Sequence, residues 1–233
     1  MEHDASVTNL NSLIERIQDW SRTNNIRNLT IRGFPEVYDK GQSATIQQAL
    51  TGSGFAIKYE DITQVISVPE KMELNIHKKR RIRKCLALAF TFCQVEVDLL
   101  SESYSLITES RNQKGYPITM TLKELERMFM LFPDNYLLFG VFDKSKMIAT
   151  SVCIKINSKI LYIFYIGDSV AYRSFSPVTL LISGIHNFCQ LHHYELLDLG
   201  ISTDKGILNK GLYAFKKSFG SFDSRKLTFE KKL

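Results

Sequence analysis

No apolar run in this chain is long enough to cross a bilayer as a helix. The N-terminus, MEHDASVTNLNSLIER, lacks the basic-then-apolar pattern of a secretory leader, so the expectation is a soluble, cytoplasmic protein. Cys85, Cys93, Cys153 and Cys189 form no C-x-x-C pair, and three of them lie in apolar runs. That argues against a disulfide framework and for buried free thiols. The histidines are scattered, which leaves no ligand spacing for zinc. Paired carboxylates and a serine-triad signature are also missing, so no motif of that kind fixes a reaction type. There is no internal repeat, low-complexity segment or long linker.

What is present is an ordinary globular balance, 44% hydrophobic and 23% charged, enough for one large domain or two smaller ones. The charge is uneven. Lys78-Lys79-Arg80-Arg81-Ile82-Arg83-Lys84 holds six basic residues, and without them the remaining 24 basic residues balance 24 acidic ones. The net charge of +6 is therefore one local feature. The run leads into a stripe, Ile82, Cys85, Leu86, Ala89 and Phe92, that predicts a helix over 82–93. Cations in a first turn oppose the helix dipole. Either the helix begins upstream near Lys71, or the cluster faces an anionic partner. A solvated face and a nucleic-acid, nucleotide or phosphorylated partner both fit the run.

Residues 9–22 place Leu10, Leu13, Ile14, Ile17 and Trp20 at helical spacing, an apolar stripe near the N-terminus. LTIRGF reads as a short strand, 44–55 as a helix closed by Gly52 or Gly54, and 55–68 as strand. Leu99 to Gln113 is helical, with Gly115 as its cap. Thr121 and Glu124 have capping-box spacing. YLLFGVF, MIATSVCIKI and ILYIFYI predict three consecutive antiparallel strands, the third apolar throughout and therefore central. Ser176-Pro177 predicts the N-terminus of a helix with Val178, Leu181, Ile182, Ile185, Phe188 and Cys189 buried, and His192 and His193 at its end. YELLDLG predicts a strand, NKGLYAFKKSFG a helix, and RKLTFEKK a last strand. A boundary is expected near Gly115 to Thr119.

The order meander, helix, strand, helix, strand resembles the GNAT acyltransferase fold. That resemblance implies an α/β class, a mixed and mostly antiparallel sheet flanked by helices, with ILYIFYI and YELLDLG splayed apart around an acyl donor. The loop GDSVAYRSFSP (167–177) departs from the coenzyme A branch, whose Q/R-x-x-G-x-G/A loop cradles a pyrophosphate. Four stretches instead resemble the FemABX-like branch of aminoacyl and peptidyl transferases: Arg81-Ile82-Arg83-Lys84, R-N-Q-K-G-Y-P-I-T (111–119), L-D-L-G-I-S-T (197–203) and F-K-K-S-F-G (215–220). Residues 116–233 are then the GNAT-like acyltransferase domain. Residues 1–115 are expected to be a smaller, partial α/β region, either a truncated GNAT-like unit or a helical one. A shortened first half leaves self-association into a homo-oligomer open.

The resemblance implies Lys216 at the substrate end of the cleft, seven residues after Asn209. There its ammonium would stabilise an oxyanion or bind a phosphate. Tyr213 is a second catalytic candidate. Tyr165, Phe215, Asn209, Arg81, Arg83 and Lys84 are substrate-binding candidates. From spacing alone, Leu212, Phe215 and Phe219 are a plain core stripe and Lys216 a solvent-facing neighbour; Lys217 should be solvated. Asp198, Ser202 and Thr203 are expected to satisfy backbone groups around Gly200. Three functions follow: aminoacyl or N-acyl transfer to an amine, acyl-coenzyme A-dependent N-acetylation, or a non-catalytic binding protein with the same fold. The donor is acyl-coenzyme A or aminoacyl-tRNA, an anionic molecule that the cluster at 78–84 would attract; the acceptor is an amine.

Overall fold

A computed structural model describes residues 7–69 and 72–233. In chain order the elements are α1 (Val7–Thr23), β1 (Asn28–Arg32), α2 (Lys40–Gly52), β2 (Ala56–Ser67), α3 (Ile76–Ala87), β3 (Thr91–Val95), α4 (Leu100–Gln113) and α5 (Leu122–Leu131). The meander β4 (Tyr136–Asp143), β5 (Lys146–Lys155) and β6 (Ile160–Asp168) follows. Then come α6 (Pro177–Leu191), β7 (Leu196–Ile201), a small hairpin of β8 (Thr203–Asp204) and β9 (Ile207–Leu208), α7 (Lys210–Lys217) and β10 (Phe222–Lys232).

The chain divides into two compact units. One takes in residues up to Gln64, Ile201–Tyr213 and Asp223–Leu233; the other is Val65–Gly200 with Ala214–Phe222. By compactness, Gly115–Thr119 lies inside the second unit, because α4 and α5 on either side of it share one apolar cluster with β4, β5 and β6 (Leu100, Ile107, Leu125, Phe129, Leu138, Val152, Tyr165).

In the first unit β1 pairs antiparallel with β10, and Ile14, Ala49, Leu50, Phe55, Leu227 and Phe229 form the core. The α1 stripe is only partly buried. Ile14 enters the core, whereas Leu13, Ile17 and Trp20 are exposed. Gln18 and Ser21 are buried instead, and Gln18 accepts a hydrogen bond from Lys231 Nζ at 2.7 Å. A polar pair thus sets the rotation of α1 where apolar periodicity predicted otherwise.

In the second unit the strand order is β7-β6-β5-β4-β3, antiparallel except for β6–β7, with helices packed against it. The fold is a mixed, mostly antiparallel sheet flanked by helices, as the GNAT resemblance implies. β6 lies between two neighbours and is buried along most of its length. One face of the sheet carries α6 and α3 over the larger core, which includes Phe139, Ile148, Leu161, Leu181, Ile185 and Leu197.

Two local expectations are corrected. The run 82–93 is not one helix. α3 starts at Ile76, where Asn75 Oδ1 accepts from Lys78 N at 2.9 Å, and ends before Ala89, whose φ is 58°. Thr91–Val95 is an edge strand on β4. The upstream start is therefore correct in kind, while Lys71 itself lies outside the described residues. Ser176 precedes α6 as expected but caps nothing with its side chain: it sits at φ 60°, and its hydroxyl donates weakly to Arg173 O at 3.4 Å. The capping box of Thr121 and Glu124 forms as read.

Gly167 lets α4 approach β6. A Cβ at that position would stand 2.7 Å from Ile107 Cα and 2.9 Å from its N, both backbone atoms that cannot swing aside. Gly167→Ala is expected to cost about 1–3 kcal/mol and to lower the urea midpoint. Gly52→Ala, at the end of α2 with nothing within 4 Å of the added methyl, is expected to be neutral or to stabilise by up to ~1 kcal/mol. Chemical denaturation of the two variants side by side checks both.

Candidate active site

Parallel β6 and β7 pair at Ile160–Leu196, Leu161–Leu197 and Tyr162–Asp198, and the ladder then stops while β6 continues to Asp168. A bulge in β6 at Phe164, where Val152 faces Tyr165 and Cys153 faces Ile163, turns the strand just beyond that point. β7 ends its regular course at Gly200, with φ +80°, a conformation that disfavours any side chain. Asp198 Oδ1 accepts from Gly200 N at 2.6 Å, so the carboxylate satisfies the backbone at the break, as expected for it. Of its two companions, Thr203 Oγ1 accepts from Ile62 N at 3.1 Å and donates to Asp61, while the Ser202 hydroxyl donates to the side chain of Gln64.

Lys216 comes to this break from α7. It is 6% exposed, and its Nζ donates to Gly200 O at 2.8 Å. Burial pulls its pKa down to about 7, and the negative charge of Asp198 opposes that shift. The solvent-facing expectation for Lys216 is thus overturned, while Lys217, one position on, is exposed as expected. Tyr162, at the last position of β6 that pairs with β7, has its phenol pushed up to about 12, by burial first and by Asp198 second. An amine that titrates near neutrality, a carboxylate and a phenol therefore share the point where pairing ends.

The other candidates divide. Phe215 and Phe219 hold a second buried amine: Lys78 Nζ lies 3.9 Å from the Phe215 ring centre and 4.3 Å from that of Phe219, and it donates to Thr179 Oγ1 at 3.4 Å. Burial, with help from Arg81, lowers its pKa to about 8. Lys78 escaped the sequence because it stood inside a run of cations; its i, i+4, i+7 relation to Ile82 and Cys85 was the available signal. Asn209 caps α7, accepting at Oδ1 from Leu212 N at 3.0 Å. The Tyr213 hydroxyl donates to Asp223 Oδ2 at 2.7 Å. Arg81, Arg83 and Lys84 are exposed on α3, and Lys84 rests over the Phe175 ring.

Tyr165 is buried, and its hydroxyl is bonded to Thr119 N, Met120 N and Thr119 Oγ1. Arg111 donates from Nε and Nη2 to Pro117 O and lies 5.2 Å over the Tyr165 ring. The 111–119 stretch is thereby laid across β6. The loop after β6 folds into a 3-10 turn, Val170–Phe175, around Asp168. That carboxylate accepts from Ser110 at 2.8 Å, Lys114 at 3.2 Å and Arg173 at 3.0 Å. Burial alone would raise its pKa; these three partners outweigh burial and hold it below the usual range. Tyr172 N and Ser176 N bond back into the same turn, so these amides are not offered to a diphosphate.

No known family profile matches the chain, and no curated protein matches it by sequence. Solved structures do match. FemX superposes with a TM-score of 0.75 at 15% identity, over 98% of this chain and 78% of that one. L-PGS from Bacillus licheniformis gives 0.69 at 8% identity, over 94% and 72%. A GCN5-related N-acetyltransferase from Kribbella flavida gives 0.54 at 8%, over 97% and 76%. The chain has the GNAT/FemABX-like acyltransferase fold.

Because the folded state of Lys216 binds its proton more weakly than the unfolded chain, unfolding takes up a proton between about pH 7 and pH 10.5. Wild-type stability therefore gains from rising pH across that window. Lys216→Met removes the dependence. Its stability relative to wild type should be highest below pH 7 and should decline steadily to pH 10.5, as read by urea denaturation of both proteins across the range. A pH-independent difference would show that Lys216 keeps an ordinary pKa.

Proposed function

We propose that this chain is an N-acyltransferase or aminoacyltransferase of the FemABX-like kind, moving an acyl group from an activated ester or thioester to an amine. The observation that carries the reading is the desolvated Lys216 amine fixed at the end of the β6–β7 ladder. Amides released where two strands part need other partners, and an acyl donor laid along them supplies carbonyl acceptors. The acceptor nitrogen attacks the donor carbonyl, a C–N bond forms, the C–O or C–S bond breaks, and the proton lost by nitrogen leaves with the departing group. Between these steps the carbonyl oxygen carries negative charge. Protonated Lys216 stabilises that charge at low dielectric, where one such donor is worth about a hundred- to a thousandfold in rate.

Aminoacyl-tRNA is the donor that the site's surroundings favour over acyl-coenzyme A. The turn that would cradle a diphosphate is closed around Asp168, and Tyr172 N and Ser176 N are already bonded within it. Asn209 and Tyr213 act through α7, by capping it and by the bond to Asp223. Tyr165 and Arg111 position the loop over β6.

Two titrations set the rate: Lys216 must be protonated, and the acceptor amine must be neutral. With Lys216 at about 7 and an acceptor of ordinary lysine pKa, log rate climbs with unit slope below pH 7. It is then level until the acceptor's own pKa, because the two fractions change in opposite senses. Lys216→Met should lower turnover at least a hundredfold and remove the break near pH 7. Initial rates with aminoacyl-tRNA and with acyl-coenzyme A, each across pH, test it. Undiminished turnover in the variant sinks the assignment, and a slope of two below pH 7 makes Lys216 a base instead.

A further inference from the structure

α3 has two faces of different chemistry. Lys78, Ile82 and Cys85, at i, i+4 and i+7, face the core. Ile76, Arg80, Arg83 and Ala87 form the opposite stripe, flanked by Lys79 and Leu86, and all six are exposed. Ile76 is 76% exposed and Leu86 57%, and Leu88, which closes the helix, is 44% exposed. Among the described residues, no carboxylate lies within ion-pair distance of Lys79, Arg80, Arg81 or Arg83. The 3-10 turn Val170–Phe175 packs beside the helix and adds exposed Val170. Lys84 stands 4.8 Å over Phe175, and Lys146 from the β4–β5 hairpin 5.4 Å over Tyr172, so two further cations gather on neighbouring rings of that turn.

A merely solvated cationic helix has no use for branched aliphatic side chains among its charges. A nucleic-acid backbone offers Ile76 and Leu86 nothing to bury against, and the outward stripe has no aromatic on which a base could stack. An anionic lipid surface satisfies both components. Lys and Arg meet the headgroups, while the aliphatic side chains enter the boundary with the acyl chains. We propose that the outward face of α3 docks this protein on an anionic lipid surface, lying in the interface without spanning it. The inference does not depend on the transferase reading, and its test needs no turnover.

The test is flotation of the full chain with vesicles of phosphatidylcholine alone and of phosphatidylcholine with phosphatidylglycerol in two-to-one ratio. The expected result is binding to the mixed vesicles only, released by raised salt. Partition should weaken roughly fivefold for each cation removed, so the triple variant K79E/R80E/R83E should not float. I76S/L86S/L88S, with charge unchanged, should also bind more weakly. All six positions are exposed, so both variants retain the fold, which circular dichroism checks. A transfer RNA that binds while mixed vesicles do not would overturn the proposal. So would vesicle binding that survives the charge variant, or that is untouched by the apolar one.

Discussion

Backbone amides removed from water need partners, and two parallel strands normally supply each other's. β6 and β7 do so only as far as Tyr162 and Asp198. Beyond that register β6 bulges at Phe164, and β7 enters the left-handed region at Gly200. Most features of the candidate site follow from this interruption. Asp198 accepts from the Gly200 amide that the ladder does not use, and Lys216 donates to the Gly200 carbonyl. Groups that would otherwise strain the sheet become the fixed polar elements of a site.

The same constraint explains why a lysine is tolerated there. Burying an unpaired ammonium is costly enough that the group usually sheds its proton. Lys216 sits at the balance point. Burial draws its pKa down to about 7, and the Asp198 charge and the carbonyl bond keep the protonated form accessible. A phenol in the same surroundings moves the opposite way, and Tyr162 remains protonated throughout the neutral range. One desolvated corner therefore holds a fixed donor and a switchable one.

Legibility followed the kind of force involved. The meander β4–β6, the helix α6 and the strand β7 were readable because apolar patterning decides them, and the capping box because its two partners are three residues apart. α1 misled because Lys231, over two hundred residues later in the chain, bonds to Gln18 and turns its polar side inward. The 82–93 run misled because its apolar spacing suits a helix, while Ala89 at φ 58° ends one and begins an edge strand. Within the site, Lys216 was placed by a resemblance and not by spacing, since a helical lysine beside a core stripe looks the same whether it is buried or solvated. Charge alone does not separate Lys78 from its five exposed neighbours; only its i, i+4, i+7 relation to Ile82 and Cys85 does.

The two buried amines are connected through α7. α7 turns Phe215 towards Lys78 and Lys216 towards Gly200, and the turn that follows it brings Phe219 to Lys78 as well. Aromatic faces satisfy Lys78 without a counter-charge, so no carboxylate is needed beside it that would compete with Asp198 for Lys216. α3 is thereby anchored to α7 by its inward cation, which leaves the remaining cations of the run exposed on its outer side. The charge excess that stood out in the sequence as a single block is thus divided by the fold. One member supports the helix that carries the candidate catalytic amine, and the others form a surface.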